Sequence, residues 1–216
     1  MALETGTYID DLVATNPVAG DNVSQGDDHL RLLKSTILAT FPNITGAMTL
    51  TDAELNAMLT YKAAGDVVQV VNVMSAAVAT GTTVMVADDT IPQNTEGDEY
   101  MTLAITPTNA SNKLKIEVVV SISNSNASST LGMAALFQDS TAGALAAMWS
   151  ARVAGAGLPS LVTFTHYMAA GTISATTFKA RAGFADAGTT TFNGSIGGRY
   201  FGGVMASSIT ITEIEV

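Results

Sequence analysis

The sequence predicts a mainly β protein, an antiparallel sandwich or barrel that follows an extended N-terminal arm and one or two short helices. From about residue 66 onward, apolar and polar residues alternate with a period of two, which is typical of half-buried strands. Clusters of Gly, Pro, Asn and Asp separate these segments at even intervals, and no helical pattern interrupts them. Antiparallel sheets of this kind bury one face by folding into a sandwich or a barrel.

An acidic arm that contains Pro and Gly leads into the first predicted helix. Ser24 is a suitable N-cap, and Asp27 and Asp28 place negative charge on the first turn, where free N–H groups favour it. Arg31 follows Asp27 by four residues and can pair with it, whereas Pro42 ends the helix. An apolar seam recurs at spacings of three, four and four: Leu30, Leu33, Ile37 and Phe41. So narrow a seam needs a partner, either the protein's own domain or other subunits.

A second helix signal lies at Thr51 and Glu54, which have the spacing of a capping box. Gly65 then releases the chain into the β region. We therefore predict three segments: an anchor arm with its helix over 1–45, a neck with a short helix over 46–65, and a β sandwich over 66–216.

Ten strands are predicted in the β region. The clearest spans 113–122, where apolar residues alternate with Lys, Glu and Ser. The others span 67–74, 82–87, 100–106, 133–139, 144–153, 161–169, 173–184, 189–193 and 204–215. The alanine-rich run 142–151 also fits a helix on propensity, but its flanking glycines and β surroundings favour a strand.

The composition argues against several classes of function. A net charge of −10 opposes sequence-independent nucleic-acid binding, which needs Lys and Arg to neutralise phosphates. The lack of cysteine removes disulfides, thiolate metal sites and cysteine nucleophiles. The acidic N-terminus has no signal-peptide pattern, and no apolar run is long enough for membrane insertion. Because 47% of residues are hydrophobic and 13% are charged, the surplus apolar surface is expected in subunit interfaces.

The residues that carry chemistry form no catalytic set. His29 lies beside Asp28 without a nucleophile, and His166 is expected to be a structural residue of a strand. Glycan hydrolysis needs a pair of carboxylates. Asp139 and Asp186 are available for such a pair, but no motif in the sequence singles them out. An acidic cluster consists of Asp88, Asp89, Glu96, Asp98 and Glu99. It either binds Ca²⁺ or forms a solvated rim, and its residues do not have the spacing of a known calcium-binding loop. We expect no enzyme activity, no cofactor and no metal.

Large planar side chains are the better candidates for binding. They are Trp149, Tyr167, Arg199, Tyr200 and Phe201. The last three lie between two pairs of glycines, which permit a tight exposed turn. Either they bind a receptor from this loop, or they fill the core or a subunit axis.

The N-terminal region carries the words YID, NP, GDDHLRLLKSTILATFPNITGAMTLT and ELN over about residues 7–56. In this order they resemble the N-terminal module of tail fibres and related virion proteins of tailed bacteriophages. The resemblance implies that this module fixes a fibre to the particle and starts a homotrimer through the seam. The implied anchoring residues are Tyr8, Ile9, Asp10, Asn16, Pro17, Asp28, His29, Arg31 and Lys34.

The remainder carries IPQNTEGDEYMTLAITPTNASNKLKIEVVVSIS, MAALFQDS and TFNGSIGGRYFGGVMASSITITEIEV. These words are similar to a C-terminal domain of phage fibre and virion proteins, which implies a jelly-roll-like β-sandwich that forms a trimeric knob. Together the resemblances imply a short tail fibre in the virion, assembled in the host cytoplasm. Its implied partners are tail, baseplate or adaptor proteins and a host-surface glycan or outer-membrane protein. The alternative is a capsid decoration or other structural protein that contacts no receptor.

Overall fold

The computed structural model describes residues 5–15, 26–43, 51–58, 62–128, 130–152 and 154–216. The chain divides into two compact units, Met1–Tyr61 and Lys62–Val216. The three segments predicted from the sequence stay a prediction. The predicted N-cap at Ser24 and the anchoring residues Asn16 and Pro17 lie outside the described residues.

The first unit contains a 3-10 turn at Ile9–Asp11, helix α1 at Gly26–Thr40 and helix α2 at Asp52–Met58. The pairing predicted within α1 is confirmed, because Arg31 lies 3.1 Å from Asp27. The predicted capping box of α2 is also confirmed. The Thr51 hydroxyl accepts from the Glu54 N–H at 3.2 Å, and the Glu54 carboxylate accepts from the Thr51 N–H at 2.7 Å.

The described part of the second unit consists of strands and the turns between them. In chain order the strands are β1 (Val67–Ser75), β2 (Ala79–Gly81), β3 (Asp98–Ile105), β4 (Lys113–Asn124), β5 (Thr130–Gln138), β6 (Ala146–Arg152), β7 (Pro159–Ala169), β8 (Thr176–Phe184), β9 (Thr190–Phe192), β10 (Gly194–Ser195), β11 (Gly198–Arg199) and β12 (Ser207–Ile214). The run predicted at 144–153 is a strand, β6, because its edge pairs with β5.

Two antiparallel sheets form the sandwich. In the first sheet β12 lies between β1 and β4, and β7 pairs with the other edge of β4. Short strands β9 and β2 continue this sheet beside the end of β4. The second sheet has the order β3-β8-β5-β6. The mainly β sandwich predicted from the sequence is therefore confirmed.

The core lies between the two sheets. Alternate side chains of β4 and β12 point inward from the first sheet, among them Ile116 and Ile211. Leu136, Phe178 and Phe184 meet them from the second sheet, and all five are buried. Full burial of one such side chain stabilises the fold by about 1.5–3 kcal/mol. The alternation of apolar residues in the sequence thus becomes the inner face of each sheet.

The strand register defines two ends of the sandwich. At the proximal end the chain arrives from Lys62, β1 begins and β12 ends, since Val67 lies opposite Ile214. At the distal end Ser75 of β1 lies opposite Ser207 of β12. The proximal end is fastened by Glu213, which is fully buried and accepts hydrogen bonds from Gln69, Thr108, Asn109 and Asn112.

The strand predicted at 82–87 is wrong. These residues belong to a covering loop, residues 82–97, which lies over the outer face of the second sheet. The Asp98 carboxylate accepts from the Thr83 N–H at 3.1 Å, and the Glu96 carboxylate accepts from the Val86 N–H at 2.9 Å. These two backbone N–H groups therefore bond to side-chain carboxylates and not to the carbonyl groups of a neighbouring strand. The buried side chain of Met85 anchors the loop on a small cluster: Met133, Ala135 and Phe137.

Three other predicted strands start three residues away from their position in the structure. Strand β5 begins at Thr130 rather than at 133, because Thr130 pairs with Arg152 of β6. Strand β8 begins at Thr176 rather than at 173, and β12 begins at Ser207 rather than at 204. The residues before β12 instead form a 3-10 turn at Phe201–Gly203.

Candidate functional site

The distal tip, residues 193–206, is the most exposed apolar feature of the sandwich. It begins with the hairpin β10–β11, whose two connecting residues both have positive φ, 47° at Ile196 and 73° at Gly197. Two such residues match the tight turns that join antiparallel strands. The tip continues into the 3-10 turn, in which Phe201 has a φ of 49° and Gly202 a φ of 63°.

Buried hydrogen bonds fix the base of the tip. The Ser195 hydroxyl donates to the Gly157 carbonyl at 2.7 Å, and the Ser123 hydroxyl donates to the Gly194 carbonyl at 2.9 Å. A methyl group on Gly157 would overlap Ile196, so the loop before β7 approaches the hairpin closely. The tip is thus mounted on the rigid ends of the strands, as binding loops on β scaffolds are.

Asn193 connects the tip to both sides of the distal end. It is buried, has a φ of 53°, and donates from its side-chain amide to the Ser75 carbonyl at 2.6 Å. Its side-chain oxygen accepts from the Ser207 hydroxyl at 2.6 Å. Asn tolerates the left-handed region better than most residues, and these bonds compensate the remaining cost.

Four apolar side chains project from this fixed base into solvent. Their exposed fractions are 64% for Ile196, 52% for Tyr200, 76% for Phe201 and 82% for Val204. The rings of Tyr200 and Phe201 lie 6.1 Å apart and are tilted by 44°. The alternative in which Tyr200 and Phe201 fill the core of their own chain is therefore wrong. Their receptor role stays a prediction.

Two of these residues are strained. A positive φ is costly for any side chain and an outlier for a β-branched one such as Ile196. Strain of this kind costs about 1–3 kcal/mol and persists where the surroundings hold the backbone. Neither Ile196 nor Phe201 recovers that cost by burial. An exposed, strained, apolar residue is best explained by a contact made outside its own chain.

Arg199 is the cation of the tip. Its side chain packs against Gly203: a methyl group added to Gly203 would come within 3.1 Å of Arg199 Cδ. Within the part of the chain that the structure describes, no carboxylate forms an ion pair with it. The tip consequently offers one oriented guanidinium beside an apolar surface.

The apolar seam of α1 is a second exposed surface. All four residues of the seam are exposed: Leu30, Leu33, Ile37 and Phe41. Leu38, which lies next to them, is exposed as well. A buried residue of this helix is Thr36, whose hydroxyl donates to the Leu33 carbonyl at 2.9 Å. The described residues of the first unit thus leave the seam uncovered.

Most of the predicted anchoring residues lie on or near α1. The Ile9 N–H donates to the Thr40 hydroxyl at 2.9 Å, which brings the YID turn to the end of this helix. Tyr8 and Ile9 are exposed, and the backbone of Asp10 completes the turn. Arg31 and Lys34 are exposed, whereas Asp28 and His29 are half-buried. Their anchoring role stays a prediction.

Four of the five residues in the predicted acidic cluster bond to nearby groups of the same chain. Asp88 accepts from the Thr90 N–H and hydroxyl, and these bonds lower the pKa of Asp88. Glu96 and Asp98 hold the covering loop, and Glu99 pairs with Lys179 at 3.5 Å. Among the described residues, no group of three or more His, Asp or Glu side chains is placed to hold a metal ion.

Asp139 and Asp186 do not form a carboxylate pair. Asp139 lies at the proximal start of β8, where it accepts from the Thr177 N–H at 2.8 Å. Asp186 follows the distal end of the same strand. Eight residue steps of strand separate these ends by about 26 Å, whereas the two carboxylates of glycosidases lie about 5–10 Å apart.

The other two aromatic candidates lie apart from the tip. Trp149 is exposed on β6 and lines an apolar groove of about 450 Å³ between that strand and the covering loop. Tyr167 is exposed on β7, opposite Lys115 of β4.

None of the helices in the described residues is long and apolar enough to span a membrane.

No protein-family model and no curated protein matches this chain. Among solved structures it is similar to dimeric latent PorU from Porphyromonas gingivalis, with 8% identity, a TM-score of 0.33 and coverage of 71% of this chain and 14% of that chain. It is also similar to infectious bursal disease virus Gx strain, with 14% identity, a TM-score of 0.31 and coverage of 68% and 36%. A third is the VP2 subviral particle of infectious bursal disease virus, with 14% identity, a TM-score of 0.29 and coverage of 68% and 38%.

The chain therefore spans between 14% and 38% of the length of these three structures. At such TM-scores the similarities carry no argument about function. The candidate site is defined by this chain's own geometry.

Sequence reasoning found Arg199, Tyr200 and Phe201 but missed Ile196 and Val204, which are exposed beside them. A signal was present, because both lie next to the paired glycines, where the apolar alternation of the strands stops. Apolar residues outside that alternation are the ones that a sheet cannot bury.

Proposed function

We propose that this protein is a non-enzymatic structural component of a virion, a short tail fibre of a tailed bacteriophage assembled in the host cytoplasm. In this proposal the N-terminal segment 1–45 attaches the fibre to the tail, the baseplate or an adaptor protein. The α1 seam joins three copies, and the distal tip contacts the host surface. Two sequence resemblances support the virion assignment.

One observation carries the recognition role: the strained and exposed apolar tip lies at the end of the sandwich opposite the arriving chain. A fibre attached through its N-terminal segment would present this end outward. The tip combines a rigid base, two aromatic rings and one guanidinium, a combination that is common in binding hot spots.

The attachment role is tested with a chain that begins at Lys62, which keeps the whole second unit. We expect this chain to fold, because its core lies within the sandwich, and to be missing from particles when it replaces the full-length protein. Particle composition is measured after complementation of a gene deletion, with the full-length chain as control. Normal incorporation of the shortened chain would show that the attachment assignment is wrong.

The recognition role is tested in particles that carry Phe201→Gly in the full-length chain. Glycine accepts a φ of 49° without strain, so the substitution removes the ring without destabilising the fold. We expect normal assembly and reduced adsorption to host cells. Unchanged adsorption by well-assembled particles would favour the alternative, a decoration or other structural protein that contacts no receptor.

A further inference from the structure

We propose that the distal tip binds a protein of the host surface, at an apolar patch beside a carboxylate group, rather than a glycan. This inference rests on the proposed function and names the class of partner. The exposed large side chains of the tip are four apolar residues and one cation: Ile196, Tyr200, Phe201, Val204 and Arg199. Such a set matches the hydrophobic centre of a protein interface with one charged contact.

The tip has few hydrogen-bonding side chains to offer a sugar, and the exposed ones are Arg199 and Tyr200. The Ser195 hydroxyl is buried and donates to the Gly157 carbonyl. The side-chain amide of Asn193 is also buried and is used by Ser75 and Ser207. A sugar ring carries several hydroxyl groups, and each one that leaves water without a partner weakens binding. Exposed aliphatic groups such as Ile196 give those hydroxyls no partner.

Charge complementarity identifies the polar part of the partner. Between residues 189 and 206 the sole charged residue is Arg199, although the whole chain carries a net charge of −10. Its contact with Gly203 restricts the side chain, which lies beside the aromatic turn. A planar guanidinium binds a carboxylate with two parallel hydrogen bonds, so an Asp or Glu of the partner is the expected contact.

The backbone strain supports a contact that needs a fixed shape. Phe201 has a positive φ and is the second most exposed of the four apolar residues. A loop whose backbone is held in place before binding loses little conformational freedom in the complex. The fixed backbone therefore contributes to recognition by setting the positions from which Phe201 and Tyr200 project.

The test uses the full-length protein and outer-envelope vesicles from the bacterium that supports growth of the virus. Binding is measured by cosedimentation with untreated vesicles, with vesicles digested by proteinase K, and with vesicles oxidised by periodate. We expect proteinase K to abolish binding and periodate to leave it unchanged. Phe201→Gly and Arg199→Glu should each weaken binding to untreated vesicles by about tenfold or more, the usual size of a hot-spot effect.

Ile173→Ala is the matched control, because Ile173 is 65% exposed in the turn before β8 at the proximal end. We expect Ile173→Ala to bind like the wild type, and no variant should have a melting temperature below that of the wild type. Loss of binding after periodate but not after proteinase K would overturn the inference in favour of a glycan. Protein-dependent binding that neither tip variant weakens would also overturn it. Failure of the wild type to bind untreated vesicles would instead contradict the proposed function itself.

Discussion

Glu213→Gln tests whether one buried carboxylate fastens the proximal end of the sandwich. One oxygen accepts from the Thr108 N–H, the Thr108 hydroxyl and the Asn112 amide, each at 2.8 Å, and the other accepts from the Gln69 amide at 2.6 Å. Burial raises the pKa of Glu213, but the hydrogen bonds outweigh it and lower the pKa from 4.5 to about 2. A difference of about 2.5 units corresponds to about 3 kcal/mol.

We expect Glu213→Gln to reduce the free energy of unfolding at pH 7 by about 3 kcal/mol. The amide keeps the shape of the side chain, but it has no charge and places its N–H₂ group against another donor. The pKa is lower in the folded chain, so the ionised carboxylate stabilises the fold fully above about pH 4.5. That contribution is lost as the pH falls toward 2, by about 1.4 kcal/mol per unit.

Denaturant unfolding followed by far-UV circular dichroism measures this difference at pH 7 and pH 3. Glu215→Gln is the matched control, because Glu215 lies two residues away and accepts a long hydrogen bond of 3.4 Å from Asn112. It should change stability by less than about 1 kcal/mol. A difference between wild type and Glu213→Gln below about 1 kcal/mol at pH 7 would refute the reasoning. So would a difference of equal size at pH 7 and pH 3.

Three further predictions concern the core, a buried hydroxyl and assembly. Met85→Ala should destabilise the sandwich by about 2–5 kcal/mol in denaturant unfolding, because it removes the buried anchor of the covering loop. Tyr100→Phe should raise the melting temperature, because the Tyr100 hydroxyl is buried without a hydrogen-bond partner and its ring already stacks on Phe192 at 4.8 Å. Light scattering should give the wild type the mass of three 22.1 kDa chains. Replacement of Leu33 and Ile37 by Asp should lower the measured mass, because it places charge in the seam. A wild-type mass of one chain would contradict the predicted trimer.

The sequence determined the β class, most strand positions and the seam of α1, because each depends on a local period. In β4 the alternation of Leu114, Ile116 and Val118 with polar residues predicts the buried face without knowledge of any partner strand. The capping box at Thr51 and Glu54 is equally local, since its bonds join residues three apart. The exposed loop at 199–201 followed from paired glycines, whose backbone freedom is a property of the residue itself.

The tertiary structure decided the features that depend on residues far apart in the chain. The segment 82–87 has the composition of a strand, but Asp98 and Glu96 take its N–H groups, and no local pattern reveals them as partners. Glu213 lies on the same inward face of β12 as Ile211, and its carboxylate can be buried there because Gln69 and Thr108 arrive from other elements and donate hydrogen bonds to it. Ile196 and Val204 were likewise added to the candidate site by the structure, which places both of them exposed beside Tyr200 and Phe201. Local periods fix which face of a strand is apolar, whereas burial, buried charge and strain depend on what the fold brings against that face.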